Sequence, residues 1–423
     1  MVTGLGVCAP NGTGVEAFNQ SLKRGQSGIT HQPELAELKF RCQVAGVPQI
    51  SEALMDDHFS ALERRRLNAN GVIYGILSGL EAWNNAGLDA AEQAVAWERG
   101  CVFGTGLSGV QTLREAIYKT DEGRVKRLGT AVVEQTMPSG ISAYLGGRLG
   151  LGNWVSSNSS ACNTGAEAVI MAADHIRLGR AKIMLAGGCD ADGPYVWGGF
   201  DAMRVLNGRS NERPQSASRP LDKDANGFVP GSGAGALVLE RLDSAEERGA
   251  HIYGEIIGSA LNSGGQRGNG TMTAPNDEGV QRCIKAALRD AEAEARDIDL
   301  ISGHLTSTMG DQREVLNWSQ ALNLEGKNFP RINAPKSLTG HCLSAAGAIE
   351  LVACFLQLQH AYLHPSLNCE ALHPAIAEVI DESCPVRDYE EKSLQLIAKA
   401  SFGFGDVNSC LLLRKFTYDQ AGD

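Results

Sequence analysis

Short apolar runs alternate with longer segments of helical period along the whole 423-residue chain. That alternation narrows the fold more than any other feature. Apolar runs of about four to eight residues bounded by turn signals read as buried strands, and apolar residues recurring every three or four positions read as helices. Residues 2–7 read as a strand stopped by Pro10-Asn11-Gly12, 67–83 as a helix, and 100–106 as a strand entering a glycine-rich turn. Apolar side chains at 166, 169, 170, 173 and 176 predict a helix over 164–178, ended by Gly179, with 181–188 the next strand. The second half repeats the layout. It has strands at 234–240 and 252–257, a helix at 279–294 and a strand at 300–303 running into a polar turn at His304. A long apolar helix at 344–360 follows, then strands at 394–400 and 409–415 around a glycine-rich turn at 401–406. This predicts an α/β chain of two similar halves, 1–232 and 233–423, with 207–224 a polar loop.

Composition removes several functions. No window approaches the ~18 apolar residues of a membrane-spanning helix. The N-terminus has no basic flank and no long apolar run, so no secretory signal is expected. The chain opens directly on a strand, so further residues upstream are expected. A count of 38 Lys+Arg against 49 Asp+Glu, net −11, argues against nucleic acid or a membrane surface as partner. The 11 cysteines are odd in number and contain no Cys-x-x-Cys pair. We therefore expect a reduced, cytoplasmic protein with mostly buried thiols and no metal site. The 50 glycines imply many tight turns.

Gly231-Ser-Gly-Ala-Gly235 precedes a strand instead of following one, so it reads as a tight, closely packed turn and not as a nucleotide loop. Four other turns hold groups suited to chemistry. Ser159-Ser-Ala-Cys162-Asn-Thr-Gly165 places a thiol where a helix begins, and the positive end of the helix dipole favours thiolate. Taken alone, such a cysteine, one of eleven, is more often buried packing. Gly303-His304-Leu-Thr-Ser-Thr308-Met-Gly-Asp311 sets a histidine among hydroxyl donors. Residues 334–347 carry Lys336 and, five positions later, His341 at the mouth of an apolar helix. In Ser401-Phe402-Gly-Phe404-Gly-Asp406-Val-Asn408 the glycines let backbone N–H groups face a ligand oxygen. Ligands bind at strand ends of this kind in α/β proteins.

Together with Val2-Thr-Gly-Leu-Gly-Val, Phe200-Asp-Ala-Met, Ser218-Arg-Pro-Leu-Asp222 and Lys336-Ser-Leu-Thr-Gly-His341, these turns resemble the β-ketoacyl-acyl carrier protein synthases along the whole chain. These are the condensing enzymes of fatty acid and polyketide synthesis, and the likeness is nearest to their elongating Cys-His-His branch. The resemblance implies a thiolase fold, a five-layered αβαβα sandwich of two pseudo-related halves. It also implies a homodimer, or a heterodimer with a related subunit. It makes Cys162 the acyl-accepting nucleophile. The backbone N–H groups of Cys162 and Phe404 become an oxyanion hole. His304 and His341 donate to the enolate formed when malonyl-acyl carrier protein loses CO₂, and Lys336 orients the site. Phe404 is implied as the gate, Phe200, Phe402, Thr306 and Thr308 as substrate contacts, and Glu350 as a buried carboxylate behind the site. No cofactor is implied, because phosphopantetheine arrives on the carrier protein. Arg64, Arg65, Arg66, Arg124, Lys126 and Arg127 are candidates for carrier docking, with solvated helix faces as the alternative. Two positions depart from the family pattern: Leu305 and Asp406 stand where glycine is usual. They leave open a subunit active only in a heterodimer. A non-catalytic chain-length partner typically lacks the cysteine that is present here.

Overall fold

Strands that are apolar on both faces have to be covered on both faces, and two such sheets are present. The computed structural model describes residues 1–90 and 94–417. Strands β1 (Val2–Ala9), β2 (Gly12–Thr13), β3 (Arg99–Thr105), β4 (Val155–Ser156), β5 (Ile183–Asp190) and β6 (Gly233–Glu240) form one sheet, in the order β2-β1-β6-β5-β3-β4. Strands β7 (Glu255–Ser263), β8 (Leu300–Ser302), β9 (Arg331–Asn333), β10 (Leu396–Gly403) and β11 (Val407–Arg414) form the other, in the order β9-β8-β10-β11-β7. Apart from the short β2, the sheets follow one plan. The first strand of each half is antiparallel to its fifth, the fifth antiparallel to its fourth, and the fourth, second and third run parallel.

Helices α1 (Asn70–Asn85), α2 (Gly140–Leu149), α3 (Thr164–Arg177), α4 (Asp277–Asp290), α5 (Gly310–Leu322) and α6 (Ala346–His360) complete five layers. Helices α1 and α2 cover the outer face of the first sheet, α4 and α5 that of the second, and α3 and α6 lie between the sheets. Side-chain alternation feeds both faces. On β5, Met184 and Ala186 join the central core, while Ile183, Leu185 and Cys189 join the outer one. On β10, Ile397 points to the centre, and Leu396, Ala398 and Ala400 point outward.

The two central helices cross on glycine. A Cβ on Gly165 would lie 2.8 Å from the Ala348 nitrogen, and one on Gly347 would lie 2.7 Å from the Ala166 nitrogen. This close crossing brings together the segments that enter the two helices, and Cys162 and His341 lie on those segments.

The expected division at 232 is corrected. Strand β6 pairs with β1 on one side and β5 on the other. Setting the short β2 aside, it is the fifth strand of the first sheet, and without it that sheet would be open at its middle. The seam therefore falls between Glu240 and Glu255. The helix expected from 67 starts at Asn70, because Leu67 closes the preceding helix Ala61–Arg66. The strand expected at 252–257 is β7, Glu255–Ser263, an edge strand whose half-exposed polar end hides it from a search for apolar runs. All eleven cysteines are free and buried. Among the described residues no helix is long and apolar enough to cross a membrane.

Candidate active site

Cys162 sits at the foot of α3 on a strained turn. Ala161 has φ 51°, in the left-handed region that side chains avoid. The other three turns singled out above each hold one such residue: Ser307 (φ 63°), Leu343 (φ 50°) and Asp406 (φ 62°). Strain of this kind persists only where the surroundings over-determine it, and it gathers at functional sites. Here all four turns converge on one cavity of about 500 Å³, lined by Cys162, His304, His341, Phe200, Phe402 and Phe404 among others. The Cys162 thiol is pushed up to about 11, mainly by burial. Lys336 and hydrogen bonds from the backbone N–H groups of Phe404 and Cys162 pull it down only in part, and Asp190 adds to the rise. Burial thus works against the thiolate that the start of a helix favours. The same two N–H groups point toward the Cys162 sulfur.

His304 follows β8 and is held by its backbone. Glu314, in the first turns of α5, accepts the N–H groups of His304 and Leu305, both at 2.7 Å. Asp311, three residues earlier on the same helix, accepts those of Thr306 and Ser307 at 2.7 and 3.1 Å. Burial pushes the Glu314 carboxyl up to about 7. The polar loop also grips this turn, through Arg219 N–H to Ser307 Oγ at 3.1 Å and Leu221 N–H to Asp311 at 3.0 Å. His341 follows Gly340, whose φ of 71° ends the short helix Lys336–Thr339. The His341 backbone is bracketed by Val229 O at 2.7 Å and Gly231 N–H at 2.9 Å. The glycines of 231–235 thus serve close backbone packing.

The two imidazoles meet edge to face with centroids 5.3 Å apart. Lys336 Nζ lies 3.4 Å from His304 Nδ1, and the Leu343 N–H donates to His341 Nδ1 at 3.3 Å. Both Nδ1 atoms are therefore acceptors, and each neutral ring carries its proton on Nε2. Burial, then Lys336, lowers both rings well below the ordinary imidazole range, with Lys399 acting in the same sense. Behind them Glu350 pairs with Lys336 and Lys399, and all three side chains are buried.

Phe402 and Phe404 flank the cavity. Phe404 stands 6.0 Å from Phe200, ring to ring, and Phe402 stands 5.9 Å from His304. Thr306 and Thr308 share a hydrogen bond at 2.9 Å and also line the cavity. Leu305 does not narrow the site, because its side chain is wholly buried in the outer core of the second half. Asp406 has a structural use. Its carboxylate accepts the N–H groups of Gln266 and Asn276, both at 2.8 Å, and its carbonyl accepts Gly264 N–H at 2.9 Å. Gly405 N–H donates to Met272 O at 2.8 Å. The Phe404 turn is thus laced to residues 264–276.

The basic candidates lie away from this cavity. Arg64 is paired with Glu52 and Asp56, and Arg124 with Glu122 at 2.9 Å, which removes them as free charges. Arg65, Arg66, Lys126 and Arg127 are exposed. Gln135, in the short helix Val132–Thr136 that follows the second basic segment, bonds the backbone of Arg66, Asn68 and Ala69 beside the first. Sequence reasoning missed Phe228, whose ring stands 5.3 Å from His341. It missed Asp190, which accepts the Ser344 hydroxyl and N–H at the entry to α6. It also missed Lys399, although a lysine within an apolar strand is itself a signal.

The family description "Beta-ketoacyl synthase, N-terminal domain" matches residues 1–245, and "Beta-ketoacyl synthase, C-terminal domain" matches 253–370. The chain is similar to 3-oxoacyl-[acyl-carrier-protein] synthase 1 of Haemophilus influenzae, 34% identical over 423 residues, with 98% of each chain covered. The Escherichia coli K12 protein of the same name is 34% identical over 424 residues, again with 98% of each chain covered. Among solved structures, a ketosynthase complex with its type II PKS acyl-carrier protein, bound to the hexaketide, superposes with TM-score 0.86, 28% identity and 98% of each chain covered. With both family descriptions matched and relatives 34% identical along the whole length, the chain belongs to the beta-ketoacyl synthase family.

Proposed function

We propose that the protein is a 3-oxoacyl-acyl carrier protein synthase, an acyltransferase that joins a Cys162-bound acyl group to malonyl-acyl carrier protein. The observation that carries this is the pair of buried imidazoles, both with Nδ1 committed as acceptor, facing the cavity that holds Cys162. In the first half-reaction the Cys162 sulfur attacks an acyl thioester. The C–S bond to the carrier's phosphopantetheine breaks, and the Cys162 proton leaves with that thiol. The N–H groups of Cys162 and Phe404 hold the oxyanion. In the second, malonyl thioester loses CO₂, and the Nε2–H groups of His304 and His341 donate to the enolate oxygen. The carbanion attacks the acyl carbon, the bond to Cys162 breaks, and the thiolate released takes up a proton from solvent. Phe200, Phe402 and Phe404 exclude water from the carbanion. Thr306 and Thr308 contact the pantetheine arm, and Lys336 and Glu350 hold His304 in place.

The carrier docks on the lobe bearing Arg65, Arg66, Lys126 and Arg127, and the protein works in the cytoplasm. Exposed Leu113, Ile117, Tyr118 and Val133, on a neighbouring part of the same lobe, support a dimer. The decisive experiment is mass spectrometry of the protein mixed with acyl- and malonyl-carrier protein. An acyl adduct on Cys162 that turns over to a 3-ketoacyl product is expected. Product formation by Cys162→Ala would falsify the assignment.

A further inference from the structure

Lys399 lies within β10 with no exposed surface. Alternation puts it on the face of Ile397 and Ser401, toward the central helices. Its ammonium reaches Glu350 Oε2 at 2.8 Å and Ser401 Oγ at 3.0 Å, and it also donates to the Ala400 carbonyl. The other carboxylate oxygen of Glu350 holds Lys336, which approaches His304 Nδ1. The connected chain is Lys399, Glu350, Lys336, His304. Its two ammonium groups face one carboxylate, which leaves one positive charge in excess. A Lys336–Glu350 pair alone would balance, and a buried excess charge is costly. The other titratable neighbours of Lys399 add no anion. Cys354, on α6, and Cys410, on β11, are thiols pushed up by burial, and His304 and His341 are neutral. Glu314 lies beyond His304 with its carboxyl bonded to backbone N–H groups.

We propose that Lys399 is a positioning residue for the condensation: by sharing Glu350 it leaves Lys336 only partly neutralised, so the buried cluster favours negative charge on the enolate oxygen held by His304 and His341. This rests on the function proposed above. The position is suited to the task. The charge sits behind the imidazoles, where it meets no substrate and needs no movement during the reaction. The same field opposes protonation of the rings, which would turn each Nδ1 from acceptor into donor.

The test uses the full chain with Lys399→Met and Lys399→Gln, the second of which keeps a polar, uncharged amide at this position. Three readouts are compared with wild type: acylation of Cys162 by an acyl thioester, CO₂ release from a malonyl thioester, and imidazole titration of His304 and His341 by NMR. Acylation within about twofold of wild type, CO₂ release lowered about tenfold or more, and rings that begin to charge at higher pH are expected from both variants. Equal loss of acylation and CO₂ release with unmoved ring titration would mean a merely structural lysine and overturns the proposal. Unchanged CO₂ release and titration overturn it as well. Ring titration needs no substrate, so it fails or succeeds separately from the proposed activity. If Lys399→Met does not fold, the Gln variant carries the same comparison.

Discussion

His304 and His341 face each other across 5.3 Å, yet their protons are set by groups outside the pair. Their folded pKa values lie below the ordinary 6.5, so between the two values the unfolded chain binds protons that the folded chain refuses. Stability contributed by these rings is therefore complete above about pH 6.5 and is lost as pH falls below it, by up to about 1.4 kcal/mol per pH unit for each ring. Melting curves of the His304→Gln, His341→Gln double variant are expected to fall less steeply on acidification than those of wild type. An unchanged slope would show that the acid sensitivity lies in other groups. In turnover, His341→Ala is expected to lose CO₂ release by about 10²-fold or more while Cys162 still takes up acyl groups. Near-normal release would remove His341 from the decarboxylation step.

At the scale of elements, the Phe404 turn and residues 264–276 behave as one unit because Asp406 ties them. Its carboxylate satisfies two backbone N–H groups, and its oxygens fill the space beside Gly264 and Gly270. Asp406→Gly would leave those donors without their partner, at a cost of about 1–3 kcal/mol. Hydrogen exchange should then rise across 264–276 ahead of the rest of the molecule, and exchange that rises evenly would deny the tie. The helix crossing makes a second demand. Gly347→Val pushes a branched side chain into the Ala166 backbone, so α3 and α6 must separate and the central core must open. Thermal unfolding is expected at markedly lower temperature, and a small shift would show that the crossing can relax.

For the whole molecule, a net charge of −11 means that a negatively charged carrier would be repelled except at a local basic surface. Reversing charge at Arg65 and Arg127 together is expected to raise KM for carrier-bound substrates about tenfold at low salt and to spare small thioesters. Equal KM for carrier-bound substrates before and after reversal would move the docking site elsewhere. Light scattering at micromolar concentration should give the mass of a dimer, and substitution of Ile117 and Tyr118 by charged residues should reduce it to that of a monomer.

Periodicity and motif order by themselves determined the class of fold, the doubling of the chain and the four turns that line one cavity, because alternation of apolar residues and the placement of glycines are local properties. Strand partners are not local. Only the sheet pairing shows that Gly233–Glu240 closes the first half, and only the packing shows that Leu305 turns into the outer core while Asp406 grips a distant segment. Protonation belongs to the tertiary structure most of all. Burial pushes the Cys162 thiol up and both imidazoles down, and a lysine that looks like an accident in an apolar strand becomes the second cation on Glu350. Desolvation and charge pairing depend on distances that no stretch of sequence contains.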